Sequence, residues 1–222
     1  MSVEPLGQHN AESPGEAPPM VFVVDDDQSL RDSLSRLLSS QGLQVQAFAN
    51  AQAFLDAFSP PDVPSCLVLD VGLPGLDGLG LQRQLREMDA PVAILFLTGR
   101  GDVPTSVKAL KAGALDFFTK PFQPADLLAG VKDAIERERV ALRARRELAE
   151  MRRRHGSLTP REREVMVGVV EGLLNKQIAA KLGSSEVTVK EQRGQVMRKM
   201  MADSVADLVR MAITLGIAVP GK

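Results

Sequence analysis

The chain has 222 residues, a net charge of -1 and 25% charged residues, which is typical of a globular protein with room for two ordinary domains. It contains one Cys and two His, so neither an internal disulfide nor a zinc site of the usual His/Cys type is expected. No apolar run reaches the roughly 18 to 20 residues of a membrane span, and the chain does not begin with a secretory signal pattern, so we expect a cytoplasmic protein.

The charge is unevenly distributed along the chain. Residues 1–133 hold 9 Lys/Arg and 17 Asp/Glu, whereas residues 134–222 hold 18 and 11. An acidic part followed by a basic part favours two domains, of which the second binds a polyanion such as DNA. A charged helical linker alone would produce the same uneven distribution of charge.

Strand and helix patterns alternate in the first part of the chain. Residues 1–19 are rich in Pro and Glu and are predicted to be a disordered tail. Short apolar or alternating runs predict five strands, at Met20–Val24, Leu43–Ala47, Cys66–Asp70, Val92–Leu97 and Ala114–Phe118. Helical patterns follow them, beginning near Ser29, Ala51, Leu76, Pro104 and Ala125. Residues 20–133 are therefore predicted to form an α/β, flavodoxin-like domain, a doubly wound parallel sheet with strand order 2-1-3-4-5.

Polar residues stand at the ends of four of these predicted strands. Asp25 and Asp26 follow the first, Asp70 ends the third, Thr98 follows the fourth and Lys120 comes soon after the fifth. The carboxyl ends of parallel strands meet at one edge of a sheet, so the five side chains are expected to converge there. A carboxylate that merely starts a turn, or a chance gathering of polar residues at loop starts, is the alternative. It does not account for acids, a hydroxyl and a lysine at different strand ends.

The predicted cluster has a definite chemistry. Asp25, Asp26 and Asp70 would repel one another unless a cation lay among them, and an oxygen-only ligand set suits Mg²⁺. With Asp70 as a carboxylate nucleophile, such a site can accept a phosphoryl group. Lys120 would neutralise phosphoryl charge, and the Thr98 hydroxyl could donate a hydrogen bond to a phosphoryl oxygen.

Residues 20–138 closely resemble the receiver domain of two-component response regulators. The resemblance rests on the acid pair, on an Asp-x-x-Leu-Pro-Gly turn that begins at Asp70, and on Thr98 and Lys120-Pro121. It implies a partner histidine kinase that phosphorylates Asp70, and in this family the bond before the matching proline is often cis.

The resemblance also implies roles for individual residues. Mg²⁺ would be held by Asp26, Asp70 and the carbonyl of Gly72, with Asp25 assisting through water. Thr98 would move toward the phosphoryl group, and Phe117 would change rotamer with it. A core aromatic residue in the fifth strand is the plain alternative for Phe117.

A helical linker is predicted between the two domains, over residues 134–155. Residues 134–154 are rich in Arg, Glu, Ala and Leu and contain no Gly or Pro, which favours a solvated helix continuing the last receiver helix. Ile135, Leu142 and Ala149 recur every seven residues, but Glu138 and Arg145 interrupt the repeat, which is too weak for a coiled coil.

Residues 156–222 have the pattern of a small four-helix domain. The capping box Thr159-Pro160-Arg161-Glu162 starts a helix that ends near Gly172. Asn175–Leu182, a Gly183-Ser184-Ser185 turn and a helix over Glu186–Met200 then predict a helix-turn-helix, whose later helix enters the major groove of DNA. A fourth helix is capped by Ser204.

The later helix has two distinct faces. Its apolar stripe, which should face the core, holds Val189, Val196 and Met200. The opposite side holds Lys190, Glu191, Gly194 and Arg198. A polar helix face is usually only solvated, but its place in a helix-turn-helix favours a nucleic-acid contact.

Three segments, Leu173–Ala179, Val187–Lys190 and Met197–Met200, closely resemble the DNA-binding domain of LuxR-type regulators. Together with the receiver, this identifies the chain as similar to the FixJ/NarL class, nearer FixJ. The resemblance implies that two residues approach bases, Lys190 and Glu191. It implies that others lie near phosphates, namely Asn175, Lys176, Thr188, Arg193 and Lys199.

Two positions depart from the family pattern. Glu191-Gln192 stands where FixJ-like proteins usually have Val-His, and Asp203 stands where a basic residue is usual. Added carboxylates should weaken phosphate attraction, although Glu191 could accept a hydrogen bond from cytosine N4 and so change the sequence that is read.

The predicted function is a phosphorylation-dependent transcriptional regulator, not an enzyme. Phosphorylation would favour a homodimer that forms through the fourth helix, fifth strand and fifth helix of the receiver and binds double-stranded DNA at paired half-sites. A phosphorylation-controlled protein-interaction module is the alternative that Glu191 and Asp203 motivate. A phosphatase of the haloacid-dehalogenase type fits less well, because its nucleophile follows the first strand, whereas Asp70 follows the third.

Overall fold

The computed structural model describes residues 17–99 and 113–217. The chain divides into two compact units, Met1–Leu142 and Arg143–Lys222. The helix predicted from Pro104 to Ala112 lies outside the described residues, as do residues 1–16 of the predicted tail and residues 218–222.

The described part of the first unit contains a parallel sheet of five strands. They are β1 Met20–Val24, β2 Gln44–Phe48, β3 Ser65–Asp70, β4 Ala93–Thr98 and β5 Asp116–Thr119. The order is β2-β1-β3-β4-β5, which confirms the prediction. The fifth strand begins at Asp116 rather than Ala114, because its ladder with β4 pairs Leu95 with Asp116 and ends at Thr98 and Thr119.

Helices cover both faces of the sheet. In the described residues they are α1 Gln28–Ser39, α2 Ala51–Ala57, α3 Gly78–Glu87 and α4 Pro124–Gly156. The first three begin at side-chain caps, which satisfy backbone N–H groups that have no partner within the helix. Asp27, Asn50 and Asp77 accept these bonds.

The sheet is buried on both faces, as its unbroken apolar runs indicate. Every residue of β3 is buried, and its side chains alternate between two cores. Leu67 and Leu69 pack in the core that includes residues of α2 and α3, whereas Cys66 and Val68 pack in the core that includes residues of α1 and α4. Burial raises the pKa of the Cys66 thiol to about 12, so this cysteine is a core residue and not a reactive thiol.

Helix α4 runs without a break from Pro124 to Gly156. Its first turns belong to the sheet's core, through Leu127 and Val131. Further along, Ala134, Ile135, Glu138 and Leu142 are buried, so the expectation of a solvated connector is wrong at these four positions. No helix in the described ranges is long and apolar enough to cross a membrane.

The second unit packs four helices around one apolar core. They are α5 Pro160–Val170, α6 Asn175–Leu182, α7 Glu186–Met200 and α8 Val205–Thr214. The predicted capping box at the start of α5 is present, since Glu162 N–H donates to Thr159 Oγ1 and Thr159 N–H donates to Glu162 Oε2. Gly183 adopts a left-handed conformation with φ 60° and ends α6, as the predicted glycine turn requires.

Glu162 also holds α5 to the end of α7. Its Oε2 atom lies 2.7 Å from Lys199 Nζ, and only 6% of the residue is exposed. The hydrogen bond from Lys199, followed by the one from the Thr159 N–H, holds the pKa of Glu162 below its ordinary value of 4.5. The carboxylate therefore stabilises the fold in its ionised form.

Glu162→Gln should lower the free energy of unfolding by about 1 kcal/mol at neutral pH, because the amide can still accept from Thr159 but no longer attracts the Lys199 charge. A depressed carboxyl pKa contributes stability that is present above its unfolded value and is lost as pH falls through the folded pKa. The difference between wild type and variant should therefore shrink below pH 4.5. Urea denaturation followed by far-UV circular dichroism measures it.

Glu164→Gln is the matched control. This glutamate lies on the same helix and pairs with Arg161, but its own side chain is half exposed. Its replacement should change stability little at any pH. An equal effect of both substitutions, or a Glu162→Gln effect that does not change with pH, would contradict the assignment.

Candidate functional sites

The adjacent strands β1 and β3 bring three carboxylates together at one edge of the sheet. One oxygen each of Asp25, Asp26 and Asp70 lies within 4.8 Å of the other two. Asp25 is fully buried and Asp70 is nearly so, whereas Asp26 is exposed. The sheet order thus places these residues as the sequence predicted, with one acid open to solvent and two at the bottom of the site.

Lys120 lies between the two buried acids. Its Nζ atom is 2.6 Å from Asp25 Oδ2 and 3.2 Å from Asp70 Oδ1. Burial acts to lower the pKa of Lys120, but the hydrogen bonds and charges of Asp25 and Asp70 outweigh it, so the pKa is above its ordinary value. The lysine therefore stays cationic and balances charge within the acid cluster.

Asp25 is held from its backbone as well as from its side chain. Its Oδ1 accepts the Asp27 N–H at 2.9 Å, and its carbonyl accepts a 2.7 Å hydrogen bond from Arg31 Nη1. Burial raises the pKa of Asp25, although Lys120 and the Asp27 N–H act in the opposite direction. Sequence reasoning missed Arg31, because a basic residue in the first turns of a helix carries no signal of its target.

The turn after Asp70 leaves space on one side and is tightly packed on the other. Gly72 is exposed, and a Cβ there would lie 3.7 Å from Asp70 Oδ2. Gly78, the first residue of α3, has no such freedom, because a Cβ would collide with the Asp70 carbonyl and lie 3.1 Å from the Phe96 ring. Gly78 therefore allows α3 to begin directly against the backbone of Asp70.

Thr98 and Phe117 occupy the neighbouring strand ends. Thr98 is buried, and its carbonyl accepts the Lys120 N–H at 2.7 Å, which ties the ends of β4 and β5 together. Phe117 is half-buried and packs against the core that contains Phe96, which fits the plain core-residue alternative. The Lys120–Pro121 bond is cis, as the resemblance implies.

The donor set at this edge fits Mg²⁺. Among the described residues it consists of the carboxylate oxygens of Asp25, Asp26 and Asp70 and includes no His or Cys. Asp27 is the third acid of its run but does not join the set, because its side chain caps α1.

The second candidate site is the face of α7. Val189, Val196 and Met200 are fully buried, which confirms the predicted core stripe. On the opposite side Lys190, Glu191, Gly194 and Arg198 are exposed. The side chains of Lys190 and Arg198 have no hydrogen-bond or ion-pair partner within the described ranges, so both cations are available to an anionic ligand.

Two side chains join the start of α6 to α7. Arg193 Nη1 donates to Asn175 Oδ1 at 3.0 Å, and Lys176 stands exposed next to Asn175. At the start of α7, Thr188 is bonded to the capping residue Ser185 through both its N–H and its hydroxyl. Asn175, Lys176, Thr188 and Arg193 thus cluster around the two helix starts.

Lys199 is placed differently from the other predicted phosphate contacts. Its ammonium group is bound to Glu162 and lies 3.4 Å from the Ser157 carbonyl oxygen. Both contacts are within the domain, so this charge already has partners in the fold. Gln192, at one of the departures from the family pattern, has a buried side-chain oxygen with no hydrogen-bond partner among the described residues.

Both units match known families. Residues 21–132 match the response regulator receiver domain, and residues 156–212 match the luxR family of bacterial regulatory proteins. Nodulation protein W of Bradyrhizobium diazoefficiens is 51% identical over 199 residues, which cover 90% of this chain and 87% of that protein. The transcriptional regulatory protein FixJ of the same species is 44% identical over 197 residues, which cover 89% and 96%.

A solved structure agrees with these matches. The response regulator StyR has a TM-score of 0.82 and 41% identity, over 89% of this chain and 99% of that chain. The similarity spans both units, and it removes the haloacid-dehalogenase alternative because the matched proteins are regulators and not enzymes. This chain belongs to the FixJ-like response regulators, and it is a phosphorylation-dependent transcriptional regulator with a receiver and a LuxR-type DNA-binding domain.

Proposed function

We propose that Asp70 is the phosphoacceptor of this regulator and that a histidine kinase supplies the phosphoryl group. The observation that carries the proposal is the position of Lys120, whose ammonium group contacts the carboxylates of both Asp25 and Asp70. The negative charge of an incoming phosphoryl group must be balanced next to the attacking carboxylate, and a cation held there does so. Asp70 keeps a slightly exposed side chain at the strand end, where a phosphodonor can reach it.

In the proposed transfer, an Asp70 carboxylate oxygen attacks the phosphorus of a phosphohistidine. The new O–P bond makes an acyl phosphate, the P–N bond breaks, and the electron pair leaves with the imidazole. Mg²⁺ bound by Asp26, Asp70 and the Gly72 carbonyl, with Asp25 assisting through water, would neutralise charge on the phosphoryl oxygens.

Three side chains then respond to the phosphoryl group. Lys120 exchanges its contact with Asp70 for one with a phosphoryl oxygen, and remains cationic because its pKa is raised. Thr98, at the end of β4, donates its hydroxyl to another phosphoryl oxygen. Phe117, half-buried on the neighbouring strand, changes rotamer as Thr98 moves.

We further propose that this change favours a homodimer. Among the described residues, strand β5 pairs only with β4 and forms an edge of the sheet, and Pro124, Ala125 and Asp126 at the start of α4 are exposed. The helix predicted at 104–112 would complete the surface. A dimer brings two DNA-binding domains to paired half-sites.

In the DNA-binding domain, Lys190 and Glu191 on the exposed side of α7 are proposed to approach base edges, and Glu191 would accept from cytosine N4. Asn175, Lys176, Thr188 and Arg193 are proposed to lie near phosphates, because they surround two helix starts whose N–H groups favour anions. The ion pair of Lys199 with Glu162 favours a structural role for this lysine instead of a phosphate contact.

Asp70→Asn should abolish phosphorylation of the full chain by a small-molecule phosphodonor with Mg²⁺, because an amide is not a nucleophile for phosphorus. Intact-mass spectrometry should show one added phosphoryl group on the wild type and none on the variant. Sedimentation should show that the donor converts only the wild type to a dimer.

Asp77→Asn is the control for this experiment. Asp77 lies in the same turn but caps α3, and asparagine is an equally good cap. It should be phosphorylated as the wild type is. Equal labelling of Asp70→Asn and wild type would refute the acceptor assignment, and a labelled wild type that stays monomeric would refute the dimer alone.

Lys120→Met should lower the stability of the Mg²⁺-free protein by about 1–3 kcal/mol, because it removes the partner of two largely buried carboxylates. Added Mg²⁺ should raise the melting temperature of this variant more than that of the wild type. Thermal denaturation by circular dichroism, with a chelator or with MgCl₂, measures both effects.

Lys132→Met serves as the matched control, since this lysine is exposed on α4. It should respond to Mg²⁺ as the wild type does. The same Mg²⁺-dependent rise in all three proteins would mean that Lys120 does not balance the charge of the metal ligands.

Lys176→Ala should reduce the slope of log binding constant against log salt by about 1 on a non-specific DNA duplex, as expected for the loss of one phosphate contact. Lys199→Met should lower the melting temperature and leave that slope unchanged, because its charge is already paired with Glu162. Fluorescence anisotropy over a salt series measures the slopes.

The two lysines are controls for each other. A slope loss for Lys199→Met equal to that for Lys176→Ala would return Lys199 to the set of phosphate contacts. Failure of the phosphorylated wild type to bind any duplex would instead favour the protein-interaction output that Glu191 and Asp203 motivate.

A further inference from the structure

The exposed side of α7 is a stripe of side chains that is interrupted by a glycine, Gly194. The stripe consists of residues at helical spacings of three and four, namely Val187, Lys190, Glu191, Gly194 and Arg198. Because the helix has 3.6 residues per turn, Gly194 lies nearly opposite the buried Val189 and Val196. It is therefore among the positions of α7 farthest from the core, and it has no side chain.

No local packing requires a glycine there. A Cβ built on Gly194 has no heavy atom within 4 Å among the described residues, and its φ is not in the left-handed region. Glycine within a helix is less stable than alanine, because it loses more backbone freedom on folding. The fold would gain from a side chain at this position.

The other glycines in the described helices behave differently. A Cβ would lie under 3.0 Å from another atom at Gly78, Gly80, Gly130 and Gly168. Gly156 also has open space, but it is the last residue of α4. Gly194 is thus the one glycine inside a described helix that neither packing nor a helix end explains.

We infer that Gly194 is a specificity-determining residue, the point at which the backbone of α7 approaches the floor of the major groove. This inference rests on the proposed placement of α7 in DNA. Glycine allows close approach of a backbone to a ligand. With no side chain at this exposed position, Lys190 and Glu191, one turn earlier on the same stripe, can reach base edges.

A methyl group on Gly194 would hold the helix away from the bases. Base contacts depend on short distances, whereas phosphate attraction acts over a longer range and carries no sequence information. The substitution should therefore weaken binding to a preferred sequence and leave non-specific binding and its salt dependence unchanged.

The test uses the full chain, phosphorylated by a small-molecule phosphodonor. The wild type first selects duplexes from a randomised DNA library, and anisotropy then gives the affinity of each protein for the enriched duplex and for a scrambled one. Gly194→Ala should bind the enriched duplex about tenfold or more weakly, the size of one lost base contact. Its affinity for the scrambled duplex should be unchanged, and its melting temperature equal to or above that of the wild type.

Gly156→Ala is the matched control, because it also adds a methyl group in open space, but at the end of α4 and not on the exposed side of α7. It should bind both duplexes as the wild type does. Undiminished binding of the enriched duplex by Gly194→Ala would overturn the inference, and so would a lower melting temperature of that variant. If the wild type enriches no sequence, sequence reading by α7 and this inference both fail.

Discussion

The receiver depends on the balance of charge at the carboxyl edge of its sheet. Strand order makes β1 and β3 neighbours, so the buried carboxylates of Asp25 and Asp70 are forced close together. Two such groups repel in a poorly solvated site, and burial alone raises the pKa of Asp25. Lys120 follows β5, which lies beyond β4 in the sheet, and its ammonium group contacts both carboxylates. A change in charge at Asp70 would therefore alter its contact with Lys120, which directly follows β5.

The contact between Lys120 and the acid cluster links that cluster to the ends of the neighbouring strands, which is what a regulatory site requires. The Lys120 N–H is bonded to the Thr98 carbonyl, so the backbone ends of β4 and β5 are already joined next to the acid cluster. Gly78 allows α3 to begin against the Asp70 carbonyl, so the backbone of Asp70 is closely packed against the start of this helix. This tight packing contrasts with the turn at Gly72, which is exposed.

The basic side chains of the DNA-binding domain differ in whether they have a partner within the fold. Lys199 neutralises the buried Glu162 and joins α5 to α7, and Arg193 joins α7 to Asn175 at the start of α6. Lys190 and Arg198, by contrast, have no such partner in the described part of the chain. A lysine therefore serves stability where it pairs with a buried carboxylate, as Lys199 does with Glu162, and remains available to an anion where it has no partner, as Lys190 does.

The order of the sheet, the acid cluster and the helix-turn-helix could be predicted from the sequence alone, because they follow from local patterns. Buried parallel strands need unbroken apolar runs, their carboxyl ends coincide, and caps such as Thr159 mark helix starts. Only the tertiary structure decided which residues meet across long stretches of chain. Glu162 and Lys199 are 37 positions apart, and the sequence offers no signal that pairs them. Likewise, the glycines at 168 and 194 look alike in sequence, and only their surroundings distinguish a packing requirement from an open surface.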